Sequence, residues 1–341
     1  MNEEKVLRRG QNSNNLSCRD DRIDSVKYWL IVLVIAGHVL AGDFFDNPEC
    51  AVIRKWIYIF HMPLFVFISG YFSRKKEIKF FIPDIWKLLE PLLLFHIIAQ
   101  ILTFIAKGSI TTDGLLTPWY VLWYLLCLIY WRVLLQIIPN WILDNKQLIV
   151  ITTLCVSLIA GFLPFGKILS LQRALAFMPF FFLGYCMRNQ SLFLPKKYKI
   201  WCFFFLIISF ALPVFFSNYL GSLKYVNPYY SYVDVLKKIF AFCVGIPISL
   251  AFINICPNMP WFSKQGRLTM QYYIYHAFII PLLGAIVNRY NLPTSLLAAT
   301  FYIFVITVGL GVASYLPCFR LFTNPSLLFK KDNTLKPNQD S

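Results

Sequence analysis

Long apolar stretches separated by short polar segments run through most of the chain. A helix needs about 17 to 25 predominantly apolar residues to cross the roughly 30 Å hydrocarbon core of a bilayer. Ten stretches have this character, near residues 25–45, 51–72, 81–106, 116–138, 147–165, 171–187, 199–217, 235–256, 268–288 and 294–316. The pattern therefore predicts an all-α integral membrane protein, a bundle of about ten transmembrane helices.

The composition supports a membrane protein and excludes most other classes. Of the 341 residues, 58% are hydrophobic and 14% are charged, and the mean hydropathy is +0.61. Soluble globular chains carry about 25% charged residues and lack repeated long apolar runs. A soluble globular, disordered, collagen-like or disulfide-stabilised protein is therefore excluded.

The positions of the basic residues explain the net charge of +16. They lie in short tracts between the apolar stretches, and such tracts of Lys and Arg favour the cytoplasmic side of a membrane. With both termini inside, the cytoplasmic segments carry 22 Lys and Arg against 9 on the opposite side, and Arg132 lies within a helix. This excess predicts cytoplasmic termini in a multi-pass protein of the cell (inner) membrane, and it argues against nucleic acid as a partner.

The chain divides into one membrane domain and two polar ends. We expect residues 1–24 to be a cytoplasmic tail, residues 25–316 to form the ten-helix domain, and residues 317–341 to be a disordered cytoplasmic tail. No apolar run precedes the first stretch, so no cleaved signal peptide is expected. The nine cysteines are scattered without a C-x-x-C pair, so neither a metal site nor a disulfide framework is expected.

Ionisable groups inside hydrocarbon are costly and are candidates for function. All four histidines, His38, His61, His96 and His276, fall within apolar stretches. At 1.5 Å per residue, His38 and His61 lie roughly 20 and 16 Å from the cytoplasmic ends of their helices. These two imidazoles are therefore predicted to lie at the same level, near the middle of the membrane.

Lys27 and His38 are eleven residues apart in the first stretch. Eleven steps of a helix bring the second residue to within about 20° of the first, at a separation of about 16 Å. A cation at the rim and an imidazole deep on the same face suit a long anionic cofactor that enters from the cytoplasm. The alternative is that Lys27 is a membrane-surface anchor and His38 a hydrogen-bond donor in helix packing.

Two other stretches carry polar residues whose role the sequence leaves open. Pro63 follows His61 by two residues and can free backbone groups around it, so His61 is expected to face a cavity rather than lipid. The Ser69-Gly70 pair is interpreted as a close helix contact rather than a serine nucleophile. Glu90 and Arg132, both inside predicted helices, can support a histidine or form a structural ion pair, and Lys87 is an alternative partner for Glu90.

Several motifs resemble the membrane-bound acyltransferase 3 family, and its fucose 4-O-acetylase-like branch in particular. The most specific pair is a D-x-x-K…GH pattern formed by Asp24, Lys27, Gly37 and His38, followed by FHMPLFVFISGYF at 60–72. Weaker matches follow in the family's order at 118–134, 179–188 and 269–281, and the last contains His276. Together the motifs cover nearly the whole membrane core.

The resemblance implies an O-acyltransferase, most simply an O-acetyltransferase of polysaccharide biosynthesis. The resemblance implies acyl-CoA as donor, with acetyl-CoA as the family's default, a carbohydrate hydroxyl as acceptor, and no permanently bound cofactor. The family's catalytic histidine corresponds to His38. Its donor-binding basic residues correspond to Lys27, in a position where arginine is common, and to Arg74 after the second stretch. Asp24, Glu90, Arg132 and His276 are supporting candidates.

Two mechanisms and two further functions remain open at this point. His38 can act as general base on the acceptor hydroxyl, with His61 or a backbone amide near Pro63 stabilising the oxyanion. Alternatively a side chain is transiently acylated. A polysaccharide exporter or flippase of the same fold is the main alternative function, and a polysaccharide polymerase the third. The clustering of polar residues around His38 and His61 favours a site over a continuous channel.

Overall fold

The computed structural model describes residues 20–41, 45, 47–109, 111–163, 166–216 and 230–323, and within these ranges it is helical and contains no strand. The helices are α1 (Asp21–Val39), α2 (Pro48–Tyr71), α3 (Ile78–Lys107), α4 (Thr112–Leu116), α5 (Trp123–Ile137), α6 (Asn140–Asp144), α7 (Lys146–Ile159), α8 (Leu171–Met187), α9 (Lys199–Ser209), α10 (Leu212–Phe215), α11 (Tyr232–Ile255), α12 (Pro260–Gly266), α13 (Thr269–Tyr290), α14 (Leu296–Ala313) and α15 (Pro317–Thr323). The predicted all-α class is confirmed for this part of the chain.

Seven helical segments in the described ranges are long and apolar enough to span a bilayer, which makes the chain a multi-pass membrane protein. They are Pro48–Tyr71, Ile78–Lys107, Ile168–Met187, Lys196–Phe215, Tyr232–Ile255, Thr269–Tyr290 and Leu296–Ala313. The other three predicted stretches also contain helices. Of these, α1 carries Arg22, Asp24 and Lys27 near its start, whereas α5 and α7 are short. The total of ten crossings and the side of the termini stay predictions.

The helix bounds differ from the predicted stretches at both ends of the domain. The first helix begins at Asp21, because the Asp20 carboxylate caps it by accepting hydrogen bonds from the backbone N–H groups of Arg22, at 2.9 Å, and Ile23, at 3.4 Å. At the C-terminal end, residues 317–341 were predicted to be a disordered tail. This is wrong for residues 317–323, which form α15. The Tyr275 hydroxyl, which donates to the Phe319 carbonyl at 3.1 Å, fastens α15 to α13. Residues 1–19 and 324–341 of the predicted tails lie outside the described residues.

The stretch predicted as one helix over 116–138 is interrupted. Only residues 123–137 form the long helix α5, and an irregular segment, residues 117–122, connects it to the short helix α4. We call residues 117–122 the strap. Pro118 lies in this segment, and the residue before a proline is disfavoured in helical conformation.

Helices α2 and α8 cross at backbone distance through two glycines. A Cβ at Gly70 would lie 1.8 Å from the Phe181 carbonyl oxygen, and one at Gly184 would lie 2.0 Å from the Phe67 carbonyl oxygen. Small residues of this kind let membrane helices pack closely. The expected helix contact at Ser69-Gly70 is confirmed, and the Ser69 hydroxyl itself lies 2.6 Å from the Tyr124 hydroxyl of α5.

Candidate active site

Three of the four histidines come together where α1, α2 and α13 meet. The imidazole rings of His38 and His276 are 5.3 Å apart between centroids. The ring of Tyr58 lies 6.5 Å from that of His38 and 5.1 Å from that of His61. His61 and His276 are 5% and 0% exposed, whereas His38 is partly buried. His61 therefore faces the protein interior and not lipid. We call His38, His61 and His276 the histidine cluster.

Backbone contacts define which ring nitrogens of two cluster members carry hydrogen. His61 Nδ1 lies 2.8 Å from the Ile57 carbonyl oxygen, and His276 Nδ1 lies 2.9 Å from the Tyr272 carbonyl oxygen. A carbonyl only accepts, so Nδ1 is the donor, and the neutral imidazole then has its lone pair on Nε2. The Nε2 of His276 is buried and has no hydrogen-bond partner among the described residues. His61 and His276, when neutral, thus each have a hydrogen-bond acceptor at Nε2.

His38 has a different partner, which lies on the strap. Its Nδ1 is 2.8 Å from the Tyr120 hydroxyl, and the two rings are 4.9 Å apart between centroids. Tyr120 adopts φ of +45°, in the left-handed region. The other nitrogen of His38, Nε2, is therefore the one left for chemistry.

His96, the fourth histidine, does not join the cluster. Its Nε2 lies 3.1 Å from the Leu115 carbonyl oxygen, and its Nδ1 accepts a hydrogen bond of 3.3 Å from the Trp119 backbone N–H. In His96 the hydrogen is therefore on Nε2, whereas in His61 it is on Nδ1. The two contacts attach His96 to Leu115 and Trp119, the backbone segment that leads to Tyr120.

A narrow cavity of about 210 Å³ includes Lys27 in its lining and is walled by the three helices of the cluster, with Leu88 of α3 and four residues of α5 completing the wall. Each helix lines it with the face that leads to its own histidine: Lys27, Ile31 and Val34 on α1, Met62, Phe65 and Ser69 on α2, and Thr269, Met270 and Tyr273 on α13. On α1 the series continues with His38, four residues after Val34, so Lys27 and His38 share a helix face as their spacing predicts. The ring of Tyr273 lies 6.1 Å from that of His276. The cavity thus has both Lys27 and Tyr273, a neighbour of His276, in its wall, while the histidines themselves are not among its lining residues.

Lys27 lies where the narrow cavity meets a wider one. Its ammonium group is 3.0 Å from the Asp24 carboxylate, which is 3% exposed, and lies 4.8 Å from the ring centre of Phe72. Arg267 approaches the same carboxylate at 3.5 Å. Asp24 therefore restrains the position of the Lys27 ammonium group through an ion pair.

The wider cavity has a volume of about 940 Å³ and contains charges of both signs. Arg74 is exposed and lines it together with Lys27. Its other charged residues are Lys75, Arg188, Asp20, Asp24 and Asp144. We call it the rim cavity. Ligand sites for small molecules commonly occupy about 300 to 1,000 Å³, so the rim cavity can hold a nucleotide-sized group.

Arg132 and Glu90 were predicted to support a histidine or to form an ion pair. Arg132 lines the narrow cavity and also an adjoining cavity of about 330 Å³ that includes Lys87 and Asp84. Lys87 forms its ion pair with Asp84, at 3.0 Å. Glu90 is partly buried on α3, six residues before His96. Arg132 thus belongs to the cavity wall and not to the histidine cluster.

Two tyrosines of the site were not predicted from the sequence. Tyr58 lies three residues before His61 and donates a hydrogen bond of 3.0 Å to the Gly37 carbonyl of α1. Its position one helical turn from His61 was a usable signal, because residues three apart share a helix face. Tyr120 carried no such signal, since it lies in a stretch that was predicted to be helical. Among the described residues, no group of three His, Cys, Asp or Glu side chains has the geometry of a metal site.

Comparisons with known proteins agree with this architecture. A family model described as "Acyltransferase domain", that of the acyltransferase 3 family, matches residues 20–316. The nodulation protein NolL of Sinorhizobium fredii (strain NBRC 101917 / NGR234) is 41% identical over 70 residues, a match that covers 20% of this chain and 19% of NolL. No solved structure matches. The family match takes in all three helices of the histidine cluster, and with it the chain belongs to the acyltransferase 3 family.

Proposed function

We propose that this protein is an O-acyltransferase of the cell membrane that moves an acyl group, most simply acetyl, from acyl-CoA to a hydroxyl of a cell-surface or exported polysaccharide. The observation that carries the proposal is the narrow cavity. It is lined by the paired cation Lys27 and by residues of the same three helices that carry His38, His61 and His276, within one helical turn of each imidazole. A donor with a charged nucleotide at one end and a reactive thioester at the other has the same distribution of charge.

The donor is proposed to bind with its phosphates in the rim cavity. Lys27 and Arg74 supply positive charge there, and both are on the side of the membrane predicted to be cytoplasmic. The narrow cavity, lined by Ile31, Val34 and Phe65, suits the pantetheine arm. Arg132 adds a second cation to the wall of the same cavity. It comes from α5, whereas Lys27 comes from α1.

Proton transfer is assigned to His38. Its Nε2 takes the proton of the acceptor hydroxyl, whose oxygen attacks the thioester carbonyl carbon. Collapse of the tetrahedral intermediate breaks the carbon–sulfur bond, and the departing thiolate takes the proton back from Nε2. General acid–base catalysis of this kind contributes about 10²- to 10⁴-fold to the rate.

His61 and His276 are better suited to binding the carbohydrate acceptor than to stabilising the oxyanion. Stabilising an oxyanion needs a donor hydrogen, and neutral His61 donates its hydrogen from Nδ1 to the Ile57 carbonyl. The expected oxyanion role of His61 therefore requires a second proton on its ring. As neutral acceptors, both imidazoles can instead receive hydrogen bonds from carbohydrate hydroxyls.

The experiment is transfer of radiolabelled acetyl from acetyl-CoA by the purified protein in proteoliposomes, with a membrane glycan extract as acceptor. We expect His38→Ala to lower kcat by about 10²-fold or more while CoA still binds. Lys27→Ala should raise KM for acetyl-CoA with little change in kcat, because it removes an interaction common to ground and transition states.

Lys264→Ala is the matched control, since Lys264 is an exposed lysine of α12 outside the rim and narrow cavities. It should leave both constants unchanged. Absence of acyl transfer by wild type with each extract, combined with movement of glycan across the proteoliposome membrane, would replace the proposal with the exporter or flippase function. Full activity of His38→Ala would remove His38 as the base.

A further inference from the structure

We infer that Tyr120 is a positioning residue for His38: its hydrogen bond to Nδ1 fixes the orientation of the imidazole, and the strap holds Tyr120 in a strained backbone conformation for this purpose. The inference rests on the proposed function, because it assigns Tyr120 a role through the proposed base.

The backbone of Tyr120 is the first line of evidence. Its φ of +45° lies in the left-handed region, where a residue with a Cβ is sterically disfavoured and glycine is not. The residue is 41% exposed, so burial does not by itself account for this conformation. Strained backbone at a polar side chain is typical of sites where the side chain has a functional position.

Hydrogen bonds on both sides of Tyr120 hold this conformation. His96 binds the Leu115 carbonyl through Nε2 and the Trp119 N–H through Nδ1, at 3.1 and 3.3 Å. On the other side, the Tyr273 hydroxyl of α13 donates to the Val121 carbonyl. Three contacts from two long helices thus determine where the Tyr120 hydroxyl lies.

The Tyr120 hydroxyl contacts Nδ1 of His38, which leaves Nε2 available to act as the base. A neutral imidazole has one donor and one acceptor nitrogen. When Nδ1–H donates to the Tyr120 oxygen, at 2.8 Å, the lone pair is on Nε2 and can take the proton of the acceptor hydroxyl. After that transfer both nitrogens carry hydrogen and the Nδ1–H···O bond persists. Tyr120 therefore orients His38 as the third group of a hydrolase triad orients its histidine, but its hydroxyl, unlike a carboxylate, can also donate a hydrogen bond to Nδ1.

Two substitutions separate this role from simple packing. Tyr120→Phe keeps the ring and removes only the hydroxyl. Tyr120→Gly removes the side chain and at the same time relieves the left-handed conformation. If Tyr120 only packs on the strap, the glycine variant loses stability and the phenylalanine variant behaves as wild type.

We expect both variants to lower kcat for acetyl transfer by roughly tenfold or more, the value of one hydrogen bond to a reacting group. KM for acetyl-CoA and the Kd of CoA should stay within twofold of wild type. In detergent, Tm should be unchanged for Tyr120→Phe and unchanged or higher for Tyr120→Gly. The control is Tyr302→Phe, which also removes a tyrosine hydrogen bond, here to the Pro293 carbonyl at 3.0 Å, and should leave kcat unchanged.

A second variant tests the strap itself. His96→Leu removes both of its contacts with the strap and should lower kcat in the same way, with KM for acetyl-CoA unchanged. Wild-type kcat in Tyr120→Phe, or a fall in Tm of Tyr120→Gly that accounts for its loss of activity, would overturn the inference. Wild type and His38→Ala are measured beside these variants, so the failures are distinguishable. Absence of transfer by wild type identifies failure of the proposed function, and an active His38→Ala identifies failure of the assigned base. An inactive His38→Ala with a fully active Tyr120→Phe identifies failure of this inference alone.

Discussion

The buried Nε2 of His276 is the least satisfied polar atom of the histidine cluster. Among the described residues it has no hydrogen-bond partner, and its side chain is 0% exposed. A buried polar group without a partner costs about 1 to 3 kcal/mol. A residue that costs stability where an apolar one would not is more consistent with a functional role than with a structural one.

We therefore predict that His276→Leu separates stability from activity. Leucine fills a similar volume without a polar atom, so Tm in detergent should be unchanged or higher. Activity should fall, because an acceptor of hydrogen bonds next to His38 is lost. Parallel measurement of Tm and kcat checks this. A lower Tm with wild-type kcat would show that His276 is a packing residue.

The contacts of individual site residues differ in how far they could be predicted from the sequence. The common face of Lys27 and His38 follows from local helix geometry, because both lie on α1 and eleven residues make about three turns. The meeting of His38 with His276 depends on packing between helices far apart in the chain, which no local spacing contains. His96 carried the same signal as the other histidines, an imidazole in an apolar stretch, and its contacts are with the strap instead. The positive φ of Tyr120 is likewise a product of tertiary contacts.

At the scale of elements, the crossing of α2 and α8 sets the position of one wall of the narrow cavity. The crossing depends on Gly70 and Gly184, where any Cβ would overlap a carbonyl oxygen of the facing helix. The same helix α2 carries Met62, Phe65 and Ser69 into the cavity. Separation of the two helices would therefore also widen the cavity.

We predict that Gly184→Ala destabilises the protein by about 1 to 3 kcal/mol or more, the usual cost of overpacking a close contact. The expected results are a lower Tm in detergent and a lower yield of folded protein. Gly309→Ala on α14 is the matched control, because a Cβ there meets nothing within 4 Å. Alanine is the better helix former, so this variant should be as stable as wild type. Equal Tm values for the two variants would contradict the role of the crossing.

Most helices were predictable because the apolar length needed to cross a bilayer is visible in one dimension. Helix α8 spans residues 171–187, as predicted. The strap is the main exception. Its residues are mostly apolar and could equally begin a transmembrane helix. A proline is tolerated in the first turn of a helix, so Pro118 does not by itself predict an interruption. Contacts with His96 and Tyr273 decide that conformation, and both come from other helices.

For the whole molecule, the excess of basic residues makes a prediction about orientation. The loop between α8 and α9 contains Arg188, Lys196 and Lys197 and is expected on the cytoplasmic side, whereas the turn after α13 at Asn291 is expected on the opposite side. A short epitope inserted after Gln190 should be reached by antibody only in permeabilised cells. The same epitope inserted after Asn291 should be reached in intact spheroplasts. The reverse result would invert the topology, and equal accessibility would contradict the count of crossings between the two points.

The short helix α12 has a mechanical consequence for entry of the donor. A Cβ at Gly266 would lie 1.7 Å from the Asp24 carbonyl oxygen, and Phe262 stacks on Tyr28 at 5.4 Å. Helix α12 therefore packs closely against the end of α1 that carries Lys27 and restricts its movement. If the rim cavity binds a nucleotide as proposed, α1 forms the fixed side of its entrance. The opposite side, where Phe72, Ser73 and Arg74 follow the end of α2, is then the side expected to move when the donor enters.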